Sequence, residues 1–444
     1  MSTQVTLSPR PALPALGRLL ERFRSVRSET LAFTAPLSPE DLMVQSCTEA
    51  SPVKWHLAHT SWFFETFVLT PFVSDYKAYN PDFHWLFNSY YTALGDMPAK
   101  NLRSSFSRPA LSVILEYRTY IDAAISSLLS ADLNHDANDI LARITLGLEH
   151  EQQHLELIAT DIKHALFTNP LHPAYAEASA AAPASPAFAA TFVAFPGGLT
   201  ETGVSPDPAD PMAFAFDNET PRHTVYLQPF QIADRLVTAG EYLAFIDDNG
   251  YTRPELWLSE GWSTMRAEGW QAPLYWRRDT EAFSGWSVFT LHGFQPLESL
   301  FETPVCHLSL FEADAFARWK GCRLPTEFEW EHACMGQPAA SGNMLESRVL
   351  HPVAAPASGD LRQMFGDAWE WTASGYTGYP GYRPLPGALG EYNGKFMSSQ
   401  VILRGGSCVT PASHIRATYR NFFGPAVRWQ FSGLRLARDV EAAS

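Results

Sequence analysis

Helical periodicity confined to the first 170 or so residues limits the fold of this chain more than any other feature. Apolar residues recur at helical spacing from about Ala12 to Thr34, Ser51 to Pro71, Ala110 to Leu129 and Ala137 to Phe167. Each such segment carries one apolar stripe to bury, and four of this length can close a common core as a four-helix bundle. The second begins in SPVKW, where Pro52 suits a first helical turn because its missing N–H is not needed there. A long aromatic stretch, Asp75 to Pro109, crosses between the second and third helices. The run AYAEASAAAPASPAFAA, residues 174–190, has no periodicity and reads as a linker. From Thr191 to Asp439 the texture changes to short strand-like pieces rich in Gly, Pro and Trp, with short helices expected at Ala239–Asp248 and Ser309–Lys320. The expected organisation is therefore multidomain, α then α+β: a bundle over 1–173, a linker over 174–190 and a loop-rich α+β domain over 191–444.

A formal net charge of −15 with no offsetting Lys/Arg stripe repels phosphate backbones and argues against nucleic acid as a partner. No window approaches 18 uninterrupted apolar residues, and no basic segment followed by an apolar core opens the chain, so no membrane span or leader is expected. The 5 cysteines are scattered and form no CxxC pair. Reduced thiols in a cytoplasmic protein fit that pattern.

His150 and His154 lie four apart within the fourth helical segment. Side chains at that spacing share one face with Cβ atoms about 5–6 Å apart, so two imidazoles can grip one ion. His59 lies in the second segment, and bundle cores are where facing helices assemble metal sites. His56, three residues earlier, is an alternative third ligand on spacing alone. HEQQH, residues 150–154, also matches H-E-x-x-H, the helix of zinc peptidases, with Glu151 as general base. No HxxGxxH extension follows, and the nearest downstream acid at plausible distance, Glu177, falls in the linker, so a zinc hydrolase is the remote alternative. Under that reading Glu151→Gln abolishes activity, while an iron oxidase tolerates it. Three neutral imidazoles suit zinc, iron or copper, and spacing does not choose among them.

Several segments together resemble the sulfoxide synthases of ergothioneine biosynthesis, the EgtB family, in its cysteine-using branch. In the N-terminal half these are WHLAHTSWFFETFVL (55–69), FNSYYTALG (87–95), RSSFSRP (103–109) and LEHEQQHLELI (148–158). In the C-terminal half they are FETPVCHLSLFEADAFARWKGCRLPTEFEWEHA (301–333), FGDAWEWTAS (365–374), LRGGSC (403–408) and RNFFGPAVRWQFSGLRLARD (420–439). The resemblance implies a DinB-like four-helix bundle followed by a formylglycine-generating-enzyme-like domain, a variant of the C-type lectin fold. It also implies an oxidoreductase using Fe(II) and O2 to join the sulfur of cysteine to imidazole C2 of hercynine (Nα-trimethylhistidine), forming the sulfoxide. Two relatives on this scaffold compete: a selenoneine synthase taking a selenosugar, and a 5-histidylcysteine sulfoxide synthase taking plain histidine.

By the same resemblance His59, His150 and His154 are the iron ligands, and one of Tyr90 and Tyr91 is the catalytic proton donor. Arg103 matches a basic residue for a substrate carboxylate, a role that suits its forked donors, and Arg108 is a second candidate. Gln153 matches a hercynine contact. A fixed trimethylammonium charge is met by aromatic faces, each worth about 0.5–2 kcal/mol. The segment with Asn421, Phe422, Phe423 and Trp429 offers such faces and an amide for the carboxylate. A formylglycine-generating oxidase would need a pair of reactive cysteines, whereas Cys408 stands alone in its motif.

Overall fold

The computed structural model describes residues 13–131, 133, 136–177, 188–207 and 213–440. The chain separates into two compact units, one of Met1–Ile158 with Pro206–Phe214 and one of Ala159–Ser205 with Ala215–Ser444. Most of the expected linker, 178–187, lies outside the described residues, and just before it Tyr175 and Ala176 donate their backbone N–H groups to the Leu291 carbonyl.

The helical unit holds α1 (Leu13–Thr34), α2 (Val53–Phe64), α3 (Leu111–Ser130) and α4 (Ala137–Thr168), the last running on into the second unit. Pro52 is the N-cap of α2, one position earlier than its first-turn reading. The helix itself departs from the amphipathic expectation, because every residue from Val53 to Phe64 is buried. A helix buried all round must be covered on both sides, and the crossover supplies the second cover. Trp62 Nε1 donates to the His84 carbonyl, and Lys54 Nζ donates to the carbonyls of Phe106 and Pro109. Glu65 ties the two together by accepting the Tyr76 and Tyr117 hydroxyls and the Tyr79 backbone N–H. At Glu65–Leu69 the helix widens into a π-turn before Thr70–Phe72 resumes the α form.

Close approach of α4 to α2 depends on Gly147. A Cβ there would meet a Phe64 ring carbon at 2.5 Å and a Phe63 ring carbon at 3.1 Å. Only hydrogen fits that gap, one turn before His150.

In the second unit a three-stranded sheet joins β1 (Phe192–Phe195), β4 (Phe230–Ala233) and β12 (Ala437–Asp439), so its first and last strands flank one sheet. A four-stranded sheet runs β10 (Asn421–Phe423), β9 (Val401–Arg404), β8 (Trp369–Gly375), β11 (Ser432–Gly433). A hairpin of β2 (Gly198–Thr202) and β3 (His223–Leu227) and a sheet of β5 (Trp276–Arg278), β6 (Trp286–Thr290) and β7 (Gly293–Pro296) complete it. The helices α5 (Ala239–Asp247), α7 (Leu310–Trp319) and α8 (Glu327–Cys334) each open on a capping box: Thr238 with Glu241, Ser309 with Glu312, Thr326 with Glu329. A further helix, α6 (Ser259–Glu268), lies outside the sequence expectation and stops at Gly269, whose φ of +66° favours glycine. Buried ion pairs anchor the strands to their surroundings: Arg435 binds Glu370 of β8, and Arg404 of β9 binds Glu327 and Glu331 of α8. No described helix is long and apolar enough to cross a membrane.

Candidate metal centre

His59 on α2 and His150 and His154 on α4 come together in the buried core of the helical unit. Each offers a ligand atom, and these atoms lie within 4.8 Å of one another; among the described residues no other group of three such side chains does so. The paired spacing on α4 sets two rings edge to face at a centroid distance of 4.5 Å, and the His59 ring lies 5.0 Å from His150 and 4.8 Å from His154.

His59 is held on both faces by its own helix. Trp55 and Trp62, at i−4 and i+3, stack on its ring at 4.5 and 5.2 Å, within 14° of parallel. Its Nδ1 bonds to the Phe87 carbonyl at 2.7 Å, so the proton sits on Nδ1, and the buried Nε2 has no hydrogen-bond partner. A lone pair in that position lacks what a metal ion would supply. His154 Nδ1 is engaged as well, 2.7 Å from His56 Nδ1, which leaves Nε2 as its ligating atom. Burial pushes all three imidazoles below their ordinary range, His150 to about 3, and the neighbouring imidazoles and Arg103 add to this for His59 and His154. The triad is neutral at physiological pH, the form that ligates. Three neutral buried imidazoles, grouped among the described residues without a carboxylate, fit a divalent transition metal, iron included.

Glu151 does not fit the peptidase role. Its two oxygens accept from Arg27 at 2.9 Å and Arg118 at 2.8 Å, and although burial raises its pKa, the two guanidiniums more than offset this and bring it to about 2. A carboxylate so bound is too weak a base to activate water. It is a structural tie instead: Arg27 of α1 also reaches Asp122 and Ser61, and Arg118 of α3 also reaches Thr60 and the Leu57 carbonyl.

The other expected site residues separate by environment. Arg103 is buried, with its guanidinium 3.4 Å above the Trp55 ring centre and hydrogen bonds to Ser51 and Ser89. It therefore forms the outer layer of a stack that continues through Trp55 to His59. Arg108 is exposed and donates to the neighbouring Ser107 carbonyl at 3.5 Å. Tyr91 is fully buried against Trp62 and Phe67, at 5.6 and 5.2 Å. Tyr90 has a φ of +21°, and burial pushes its phenol upward while a bond to Tyr91 opposes that shift. A phenol raised in this way stays protonated at neutral pH. Gln153 is half-buried on α4.

In the second unit, Asn421, Phe422 and Phe423 form the edge strand β10, where adjacent side chains point to opposite faces. Phe422 stacks on Tyr376 at 4.1 Å, whereas Phe423 meets Trp429 at 5.4 Å. The two phenylalanines therefore have different ring partners, Tyr376 for Phe422 and Trp429 for Phe423. Trp429 Nε1 donates to Asp161 at 2.9 Å, on the C-terminal part of α4. None of the five cysteines is in a disulfide, and burial pushes the thiols of Cys306, to about 12, and Cys334 upward, away from a reactive thiolate pair.

A model of the DinB superfamily matches residues 22–158, and one of the sulfatase-modifying factor enzyme 1-like domain matches 178–349 and 343–440. Fold and matches define the class: a DinB-type helical unit followed by a formylglycine-generating-enzyme-like domain. Within that class the chain is 31% identical over 420 residues to the hercynine oxygenase of Mycolicibacterium smegmatis, covering 88% of this chain and 91% of that one. It is 30% identical to the hercynine oxygenase of Mycolicibacterium thermoresistibile, over 97% of this chain and 96% of the relative. The chain belongs to the hercynine oxygenase family. The formylglycine-generating enzyme of Streptomyces coelicolor is 28% identical but covers only 51% of this chain.

Sequence reasoning missed what holds the ligands: the indoles at 55 and 62, the Phe87 carbonyl and the Glu151 tie. The first had a legible signal, since Trp55, His59 and Trp62 follow an i, i+4, i+7 pattern on one helix face. A backbone carbonyl leaves none.

Proposed function

We propose that this protein is an Fe(II)- and O2-dependent sulfoxide synthase that joins the sulfur of cysteine to imidazole C2 of hercynine. The observation that carries the reading is the buried, neutral triad of His59, His150 and His154, in a chain that belongs to the hercynine oxygenase family. His59, His150 and His154 would hold iron(II), which when bound would supply the redox chemistry with dioxygen. The protein supplies the surroundings. Arg103 puts a buried positive charge beside the triad, which favours a thiol as thiolate or the carboxylate attached to it. Tyr90 and the fully buried Tyr91 offer a protonated phenol able to give a proton to reduced oxygen. Trp55, Trp62 and Phe63 line the imidazoles with apolar surface and exclude competing water. Within the helical unit the proposed hercynine contact is Gln153; within the second unit Asn421, Phe422, Phe423 and Trp429 offer an amide and aromatic faces of the kind a carboxylate and a trimethylammonium take.

The test is a product assay. The full chain with Fe(II) in air is offered hercynine with cysteine, γ-glutamylcysteine or a selenosugar, and histidine with cysteine, and each mixture is weighed by mass spectrometry. Hercynylcysteine sulfoxide from the cysteine pair is the expected product. Product from the selenosugar or from histidine alone replaces the substrate assignment, and no oxygen consumption with any pair ends the reading.

A further inference from the structure

We propose that His56 is a positioning residue for the metal centre: its ring accepts the N–H of His154 and so aims the Nε2 lone pair of that ligand at the triad. The inference rests on the triad holding a metal ion, as proposed above, and deepens that reading.

The two Nδ1 atoms stand 2.7 Å apart, with His56 only 2% exposed and His154 7%. Two ring nitrogens at that distance share one proton, so one donates and the other accepts. A neutral imidazole has one N–H and one lone pair. If His154 ligates through Nε2, its proton sits on Nδ1, and His56 Nδ1 must be the acceptor, with its own proton on Nε2. His56 then does for His154 what the Phe87 carbonyl does for His59. Outer partners of this kind set the tautomer and the ring angle of a ligating histidine, and losing one costs about 10–100-fold in metal affinity.

The same geometry argues against His56 as a ligand. His56 Nδ1 is already committed to His154, and His56 is not in the group whose ligand atoms lie within 4.8 Å of one another. The edge of Trp55, with centroids 5.5 Å apart and planes 79° from parallel, packs against the His56 ring. Burial on this scale leaves little room for water to replace the acceptor.

The experiment is a titration of the full, metal-free chain with Co(II) alone, following the visible ligand-field band as well as affinity. His56→Leu removes the acceptor, and His56→Asn keeps an oxygen near the position of Nδ1. The expected result is a 10–100-fold weaker cobalt affinity and an altered band for the leucine variant, most of it restored in the asparagine variant. Metal-free melting temperatures of both variants separate a folding defect from a positioning one. Equal affinity and an unchanged band in His56→Leu overturn the proposal. So does a loss in His56→Asn as large as in His56→Leu, which would make His56 a ligand. Failure of the unaltered chain to bind cobalt removes the triad reading itself, and the positioning role with it.

Discussion

At the scale of the residue, the two tyrosines are where chemistry can be separated from architecture. Tyr91 is sealed among Trp62 and Phe67, while Tyr90 is strained to positive φ and bonded to it. Removing one hydroxyl keeps the ring and its packing. Tyr90→Phe or Tyr91→Phe, whichever carries the proton, should slow sulfoxide formation by about 100-fold or more, the usual worth of a positioned acid, and divert turnover toward oxidation of the thiol alone. Product ratios by mass spectrometry check this. An unchanged ratio in both variants removes the proton-donor role.

At the scale of the element, α1, α3 and α4 are locked to one another through Glu151, with α2 attached by Ser61, Thr60 and the Leu57 carbonyl. Glu151→Gln leaves two buried guanidiniums short of countercharge, so it should cost about 3–5 kcal/mol of stability, measurable by denaturant unfolding. Lost activity in that variant therefore cannot diagnose a general base, contrary to what the sequence motif suggests. The acid limb follows from the same pairs. Glu151 has a folded pKa near 2, below its ordinary 4.5, so its contribution is full above pH 4.5 and is lost as pH falls toward 2. Gly147 is the second element-scale constraint. Gly147→Ala gains about 1 kcal/mol of helix propensity, but the new methyl falls 2.5 Å from Phe64, and overpacking costs about 1–3 kcal/mol. Net destabilisation with weaker metal binding is expected, because α2 and α4 must separate where they carry the ligands. A variant more stable than the parent would show that Phe64 yields freely.

At the scale of the whole molecule, α4 runs from the unit that holds the triad into the second unit, where Lys163 is fully buried. Its ammonium bonds to His307 Nε2 at 2.7 Å and lies over the rings of Tyr275 and Phe431. Burial lowers its pKa from 10.5 to about 8, so between those values the unfolded chain binds the extra proton. Stability from this group should therefore rise with pH from about 8 to 10.5 and be flat below 8, a swing of about 3 kcal/mol. Subtracting the unfolding profile of Lys163→Met isolates it. A difference curve without slope in that window would mean that the ammonium is better solvated than its burial implies.

The sequence alone determined the order of the architecture, because four helical stripes and a Gly-, Pro- and Trp-rich remainder are local patterns. It also determined the pairing of His150 with His154, since a spacing of four is helical geometry, and the starts of α5 and α7, which capping boxes mark. Tertiary structure decided the rest. Spacing left His56 and His59 equal as third ligands, and only the approach of α4 and the Phe87 carbonyl assigned different contacts to the two rings. Glu151 reads as a general base until Arg27 and Arg118, distant in sequence, are brought onto it. Phe422 and Phe423 are adjacent in sequence, and only strand alternation gives them different ring partners, Tyr376 and Trp429. In each case the deciding partner comes from another element, and a chain read one residue at a time carries periodicity but not the contacts between faces.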